Sequence, residues 1–349
     1  ILLPDRTFSQ LENRNLAAAP KLSWETVTTG TFMEDAEDYV NDQIIGRDFW
    51  VALKAWSERV SGKQENNGVY FAKEDTLISR VDTPSQSDLE ENAGYVNALV
   101  NNVDVPVYFG IIPSAAEIWS YRLPEGAPTA DEKAIIDRLY NEVQTHVIDL
   151  YSVLNAHKDE ELYYRTDHHW TSLGAYYGYT ALMNAMGLEA VPLDESQKVT
   201  VSDEFYGTLF SSSGVRWLPP DHIDRYISDE GVTVTAYPNG TPEPGSLYVD
   251  SYLKVKDQYS SFLGGNKPLC VIETEHTGAP KVLVIRDSYA DSLAPFLTQN
   301  FSEIHLFDPR YNLNSVQEYA AQNEIDSIVV LYSISNFTAK DNQLFVLGR

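Results

Sequence analysis

Lys281-Val-Leu-Val-Ile-Arg286, Ile304-His-Leu-Phe307 and Ile328-Val-Val-Leu-Tyr332 are three short runs in which almost every side chain is apolar. A strand with one face in water alternates apolar and polar residues, so runs of this kind belong to a sheet covered on both faces. The stretches between them, from about Tyr289 to Asn300 and near 314–323, read as amphipathic helices. The same rhythm occurs earlier. A helix near 87–101, with Ala93, Val96, Leu99 and Val100 on one face, leads into the buried strand Val105-Pro-Val-Tyr-Phe-Gly-Ile-Ile112. A helix near 131–143, with Ile135, Ile136, Leu139, Tyr140 and Val143 on one stripe, leads into His146-Val-Ile-Asp-Leu150. Short buried strands alternating with helices predict an α/β fold, a three-layer α/β/α sandwich around a mostly parallel sheet.

Two regions depart from this rhythm. Residues 1–80 are mixed and polar up to an amphipathic stretch around Phe32 to Trp56, and they read as an N-terminal extension wrapped on the main domain. The segment from about 190 to 278 is rich in Asp, Ser, Gly, Pro and Tyr, with short alternating pieces such as Val232-Thr-Val-Thr-Ala-Tyr237. It reads as a β-rich insertion standing outside the parallel sheet. The whole of 1–349 is expected to form one domain, a length that buries a substantial core without staples.

The charge balance narrows the partners. Against 51 acidic residues stand 25 basic ones, a formal charge of −26. A field of that sign repels nucleic acid and anionic lipid headgroups, so neither is expected as a partner. Cys270 is the single cysteine, which excludes an intramolecular disulfide and a cysteine-based zinc site. No run of 18 apolar residues occurs, and the chain opens at Ile1 without a methionine. The expectation is that a leader or anchor preceded it.

Chemistry concentrates in Thr166-Asp167-His168-His169-Trp170-Thr171. Extended backbone turns residues i and i+2 to one side, so Asp167 is expected to face His169 while His168 points away. The cluster is either a catalytic dyad or a metal site. Residues 172–187 follow as a helix, with Thr171 or Ser172 as N-cap and Gly187 as C-cap. In open α/β sheets ligands gather beyond the carboxyl ends of the strands. Ser288, in Arg286-Asp287-Ser288-Tyr289, stands at such an end, either as a nucleophile beside oxyanion-stabilising amides or as a plain helix N-cap. Arg310, Tyr332 and Asn336 follow the next two strands and are candidates to orient a substrate carbonyl, and Pro113 is expected to shape another wall. Tyr289, His168 and Trp170 flank the nucleophile and the dyad as further candidate substrate contacts. The chain lacks GxSxG, GxxxxGK, GxGxxG, HExxH and EF-hand patterns, which disfavours a lipase-type hydrolase, a P-loop NTPase and a dinucleotide enzyme.

With these residues in place, the chain resembles the DHHW family of bacterial proteins and, more distantly, the alginate O-acetyltransferase-like branch of the SGNH hydrolase superfamily. The resemblance rests on Asn13-Arg14, Tyr163-Tyr-Arg-Thr-Asp-His-His-Trp-Thr171, Arg286-Asp-Ser-Tyr289 with Pro295-Phe-Leu297, and Asp308-Pro-Arg-Tyr311. In such relatives an Asp-x-His-Trp motif precedes a distant serine, so the roles implied here fall on Asp167, His169 and Ser288. That order is permuted relative to ordinary SGNH hydrolases, where serine comes first. This chain departs from the alginate branch by carrying His168 at the x position and by lacking an evident C-terminal carbohydrate-binding module. The resemblance implies an extracytoplasmic O-acetyltransferase or O-acetylesterase that uses no cofactor and no metal. It also implies a polysaccharide or other carbohydrate substrate and a membrane acyl-donor partner protein.

Serine-based acyl transfer is the leading expectation, with Asp167 orienting His169 and His169 taking the proton of Ser288. A metal-dependent phosphoesterase is the alternative, with Asp221, His222 or Asp287 adding ligands to the Asp-His-His cluster. A catalytically silent carbohydrate-binding protein is the third, since 22 Tyr and 6 Trp offer faces for sugar stacking.

Overall fold

The three doubly apolar runs lie side by side at the centre of an eight-stranded sheet in the computed structural model, which describes residues 4–9, 11–12 and 14–349. The expectations attached to Ile1 and Asn13 lie outside the described residues. Ser327–Ser333 pairs parallel with Lys281–Arg286 on one side and with Val107–Ile112 on the other. Glu303–Phe307 and His146–Val147 extend the parallel part outwards. Val282 to Ile285 and Ile328 to Val330 have no exposed surface, which is why their sequence shows no alternation. Helices Gln86–Asn102, Glu132–Glu142 and Val316–Gln322 pack together as one layer. Helices Leu150–Ala156, Ser172–Met186 and Ala290–Leu297 pack together as the other. The result is the expected three-layer α/β/α arrangement.

The segment 190–278 differs from expectation. Thr233–Ala236, Leu269–Glu273 and Glu243–Pro244 join the central sheet as an antiparallel edge beyond Glu303–Phe307. Their burial alternates, with Val234, Ala236, Cys270 and Ile272 inward, so the period-2 pattern marks the half-covered border of the same sheet. Only Val199–Phe205 and Asp221–Arg225 form a separate two-stranded sheet.

Two boundaries also move. The strand from His146 stops at Val147, because Asp149 accepts from the Ser152 amide at 3.0 Å and caps the helix Leu150–Ala156. The helix after Ser288 runs only from Ala290 to Leu297, with Pro295 inside its last turn. Ahead of the sandwich, helices Thr31–Gln43 and Arg47–Val60 bury little besides Asp42 and Ala55. Val69, Phe71 and Leu77, by contrast, form a small core with Leu209, Phe210 and Val215.

Candidate active site

Ser288 sits in the turn between Lys281–Arg286 and the helix that starts at Ala290, half-buried at the carboxyl end of the sheet. It is not the helix cap: that place belongs to Tyr289, which makes no side-chain capping bond. Asp287, fully buried, fixes the turn. Its Oδ1 accepts from the Tyr289 amide at 3.0 Å, and its Oδ2 accepts from the Ser333 amide at 2.9 Å, the Ser333 hydroxyl at 2.6 Å and Asn336 Nδ2 at 2.8 Å. The strand end and the neighbouring strand end are thereby tied into one rigid rim. The Ser288 amide donates to no acceptor among the described residues.

The Asp-His-His-Trp loop meets this turn from the other side. Ser288 Oγ lies 2.8 Å from His169 Nε2, and Asp167 Oδ1 lies 2.6 Å from His169 Nδ1. A carboxylate only accepts, so His169 carries its proton on Nδ1 and offers the Nε2 lone pair to the serine hydroxyl. Asp167 also accepts from the His169 amide at 3.0 Å, and its Oδ2 accepts from the Thr208 amide at 2.7 Å and the Thr208 hydroxyl at 3.0 Å. Burial acts to raise this carboxyl. His168, His169 and the Thr208 amide more than reverse that, holding it well below the usual carboxylate range.

Room for the carboxylate comes from Gly207. A Cβ there would stand 2.2 Å from Asp167 Cβ and 2.3 Å from its Oδ2, so a side chain at 207 and this Asp167 position exclude each other. On the far side, Tyr259 lies flat against the His169 ring, with centroids 3.8 Å apart and planes 9° from parallel. Its hydroxyl donates to the Ser288 carbonyl at 3.0 Å and lies 3.1 Å from Ser292 Oγ. Thr208 and Tyr259 both come from the irregular 190–278 segment and were not among the sequence candidates. Gly207 as the N-cap of the helix Thr208–Ser213 is a faint local signal for Thr208, whereas nothing in the sequence around Tyr259 marks it.

The expectation that His168 points away is corrected. Residues 165–169 form bends rather than a strand, so alternation does not apply, and the His168 ring packs 3.9 Å from that of His169. Its Nδ1 lies 2.7 Å from Thr208 Oγ1. The threonine hydrogen is committed to Asp167, so His168 donates from Nδ1 and keeps Nε2 as an acceptor. Burial first, then the neighbouring His169, pushes the His168 imidazolium down from its ordinary value, although 38% of the side chain is open to solvent.

Of the remaining candidates, His168, Tyr289 and Asn336 line a cavity of about 170 Å³ beside the dyad, together with Ser114, Ala116 and Leu209. Trp170, Tyr332 and Arg310 are not brought to it. Trp170 is fully buried, donating from Nε1 to the Tyr289 carbonyl at 2.9 Å, with its ring over Gly178, where a Cβ would meet it at 2.6 Å. Tyr332 is also fully buried. Arg310 forms a two-pronged pair with Asp308, at 2.9 and 2.7 Å, so its guanidinium is spent on the fold. Pro113 acts through its carbonyl, which accepts from the Tyr163 hydroxyl at 2.7 Å.

The ligands considered for a metal are also engaged elsewhere. Asp221 accepts from the Thr166 and Arg165 amides, at 2.8 and 3.1 Å. His222 lies 3.2 Å from Asp224, and Asp287 holds the Ser288 turn. Among the described residues, the one grouping with metal-ligating geometry is Asp167, His168 and His169.

A family model described as "DHHW protein" matches residues 81–307. The chain belongs to the DHHW family. A crystal structure of a DHHW family protein from Eubacterium siraeum matches with a TM-score of 0.71 at 26% identity, covering 80% of this chain and 95% of that one. Bacillus cereus PatB1, solved with a sulfonyl adduct, matches with a TM-score of 0.65 at 20% identity, covering 79% of this chain and 97% of that one. The O-acetyltransferase domain of Pseudomonas putida AlgJ matches at a TM-score of 0.48 and 14% identity, covering 78% of this chain and 93% of that one. Among curated proteins no match is found. The DHHW fold thus recurs over most of the chain, with the Asp167-His168-His169-Trp170 segment inside the matched region. Among the described residues no helix is long and apolar enough to cross a membrane.

Proposed function

We propose that this DHHW protein performs serine-dependent acyl transfer on a cell-surface or secreted polysaccharide, as an O-acetyltransferase or O-acetylesterase. The observation that carries the reading is the unbroken run from Ser288 Oγ to His169 at 2.8 Å and from His169 to Asp167 at 2.6 Å. His169 Nε2 takes the hydroxyl proton as Oγ attacks the acyl carbonyl, and the carbonyl π pair moves onto oxygen. When the intermediate collapses, the bond to the leaving oxygen breaks and the proton passes from Nε2 to that oxygen, leaving acyl-Ser288. A sugar hydroxyl or water then attacks, gives its proton to His169, and Ser288 leaves with that proton. Asp167 keeps the imidazole in the required tautomer and balances the imidazolium.

The oxyanion falls to the uncommitted Ser288 amide and to Asn336 Nδ2, whose second hydrogen is not used by Asp287. The cavity of about 170 Å³, walled by Ala115, Ala116 and Leu209, accommodates a short acyl group and is below the volume usual for whole-ligand sites. The sulfonyl adduct on PatB1 lends support, since sulfonylating reagents react with activated hydroxyl nucleophiles. In this reading residues 1–349 act as one catalytic domain with an N-terminal extension. It works outside the cytoplasm on a carbohydrate, with a membrane partner protein supplying the acyl group.

The test is hydrolysis of a chromogenic acetyl ester by wild type and Ser288→Ala, with mass analysis of the Ser288 peptide after treatment with a sulfonyl fluoride. Loss of activity and modification at Ser288 are expected. A Ser288→Ala protein as fast as wild type would refute the serine mechanism. The ligand atoms of Asp167, His168 and His169 lie within 4.8 Å of one another, which favours a metal-dependent phosphoesterase as the second reading. Phosphate-ester hydrolysis lost on chelation and restored by manganese would support it. Sugar binding without any turnover would instead favour a silent carbohydrate-binding protein.

A further inference from the structure

A groove of about 590 Å³ opens between the helix Arg47–Val60, the residues around the helix Thr208–Ser213, and the segment Lys254–Gln258. Much of its wall is carbon, contributed by Ala52, Tyr206, Phe210 and Val255, with the Tyr206 and Phe210 rings 4.4 Å apart. Set into this wall are Arg216 and Lys256, whose charged groups stand 4.8 and 5.1 Å from the centre of the Phe210 ring. Two cations sharing one aromatic ring are unexpected in a chain with 51 acidic and 25 basic residues.

Neither cation has a carboxylate partner among the described residues. Lys256 Nζ donates to the Tyr206 carbonyl, and Arg216 donates to the carbonyls of Phe210, Val215 and Ser211. Arg216 Nε is buried and has no acceptor among the described residues. Asp48 and Glu204 also line the groove, but Asp48 is paired with Arg6 at 3.4 Å and neither acid bridges to Arg216 or Lys256. Burial first, and Arg216 next, pushes the Lys256 ammonium down to about 8, against an opposing pull from the Asp167 carboxylate.

We infer that this groove binds a single anionic amphiphile, with a carboxylate or phosphate head between Lys256 and Arg216 and an alkyl tail along Ala52, Phe210 and Val255. The volume is in the range of small-molecule sites, and the mixture of apolar wall and a few convergent polar groups is their usual composition. The head supplies the missing counter-ion, and the tail covers carbon surface that water now meets. The formal charge of −26 repels an anionic bilayer as a whole, so the occupant enters as a monomer. Lys256 is three residues from Tyr259, a reach of at most about 11 Å of extended backbone, and the groove has no lining residue in common with the cavity beside the dyad.

The test is titration calorimetry on the full chain, below micelle-forming concentrations, with decyl phosphate, decanoate, decyl maltoside and inorganic phosphate. Decyl phosphate or decanoate is expected to bind at least tenfold more tightly than decyl maltoside and than inorganic phosphate, and the stronger of the two identifies the head. Lys256→Gln is expected to remove at least tenfold of that affinity while leaving decyl maltoside unchanged. Equal binding of decyl maltoside, equal binding of inorganic phosphate, or no saturable binding of either anionic decyl compound overturns the inference. The head-group comparison is made on unaltered protein, so a variant that fails to fold does not decide the matter. The same titrations on Ser288→Ala, expected to be unchanged, keep this site separable from the acyl-transfer reading.

Discussion

Gly207→Ala should silence the serine site without touching any reacting group. The added Cβ would lie 2.2 Å from Asp167 Cβ, 2.3 Å from Oδ2 and 2.7 Å from Cα, whereas ordinary contact begins at 3.4 Å. The two chains must therefore separate by roughly 1 Å, and misplacement on that scale costs about 100-fold in rate. If the carboxylate leaves His169 altogether, the loss approaches the roughly 10⁴-fold seen when the orienting Asp of a serine protease is made Asn. Overpacking also costs about 1–3 kcal/mol of stability. Gly207 has φ −80°, so alanine meets no backbone strain and the clash alone is tested. The assay compares initial rates on a small acetyl ester for wild type, Gly207→Ala and Asp167→Asn, with thermal unfolding and circular dichroism to register the fold. A folded Gly207→Ala protein within threefold of the wild-type rate would refute the claim that Asp167 needs this position.

Tyr259→Leu removes the ring stacked on His169, an interaction worth about 0.5–1.5 kcal/mol beyond burial, so the rate constant should fall about 2- to 12-fold at unchanged KM. Tyr259→Phe keeps the ring and loses only the hydroxyl contacts with the Ser288 carbonyl and Ser292 Oγ, and should be the milder variant; the reverse ranking argues against the stack. Asn336→Ala removes a proposed oxyanion donor, with an expected loss of about 10²- to 10³-fold in kcat, checked by steady-state kinetics. Glu132, fully buried and accepting from the Ser114 amide and hydroxyl at 2.8 and 2.6 Å, is pushed by burial from 4.5 up to about 7. A carboxyl raised in this way keeps its proton in the folded state. Its contribution is therefore greatest below the unfolded value, falls by about 3 kcal/mol as pH rises to 7, and is flat above. Urea unfolding at pH 4.5 and pH 8 should show that difference shrink in Glu132→Gln.

The sheet was legible because its central strands are buried on both faces, which writes itself as continuous apolar runs such as Val282 to Ile285. Thr171 and Gly187 were legible as caps because capping is a local event: Thr171 Oγ1 accepts from the Gly174 amide at 3.2 Å, and Gly187 adopts φ 69°. Ser288 could be singled out because a strand-to-helix turn is itself local. Thr208 and Tyr259 could not, since each reaches the site only through packing of an irregular stretch between the alternating pieces of its segment, 41 residues from Asp167 in one case. The same limit explains Arg310 and Tyr332. Both stand at or just beyond the carboxyl ends of strands, where ligands gather, but the sequence does not say which way a side chain turns, and these two are engaged within the fold.

The dependence of Asp167 and His169 on the 190–278 segment bears on when the protein becomes reactive. Ser288 and His169 are 119 residues apart, and Tyr259, which stacks on the imidazole and bonds to the Ser288 carbonyl, comes from a third stretch packed against both. Contacts of such sequence separation form late, because the entropy of closing long loops is spent before they can reward it. A chain still emerging, or partly unfolded, holds Ser288 as an ordinary hydroxyl. On the proposed serine mechanism, competence then appears only together with the finished tertiary structure.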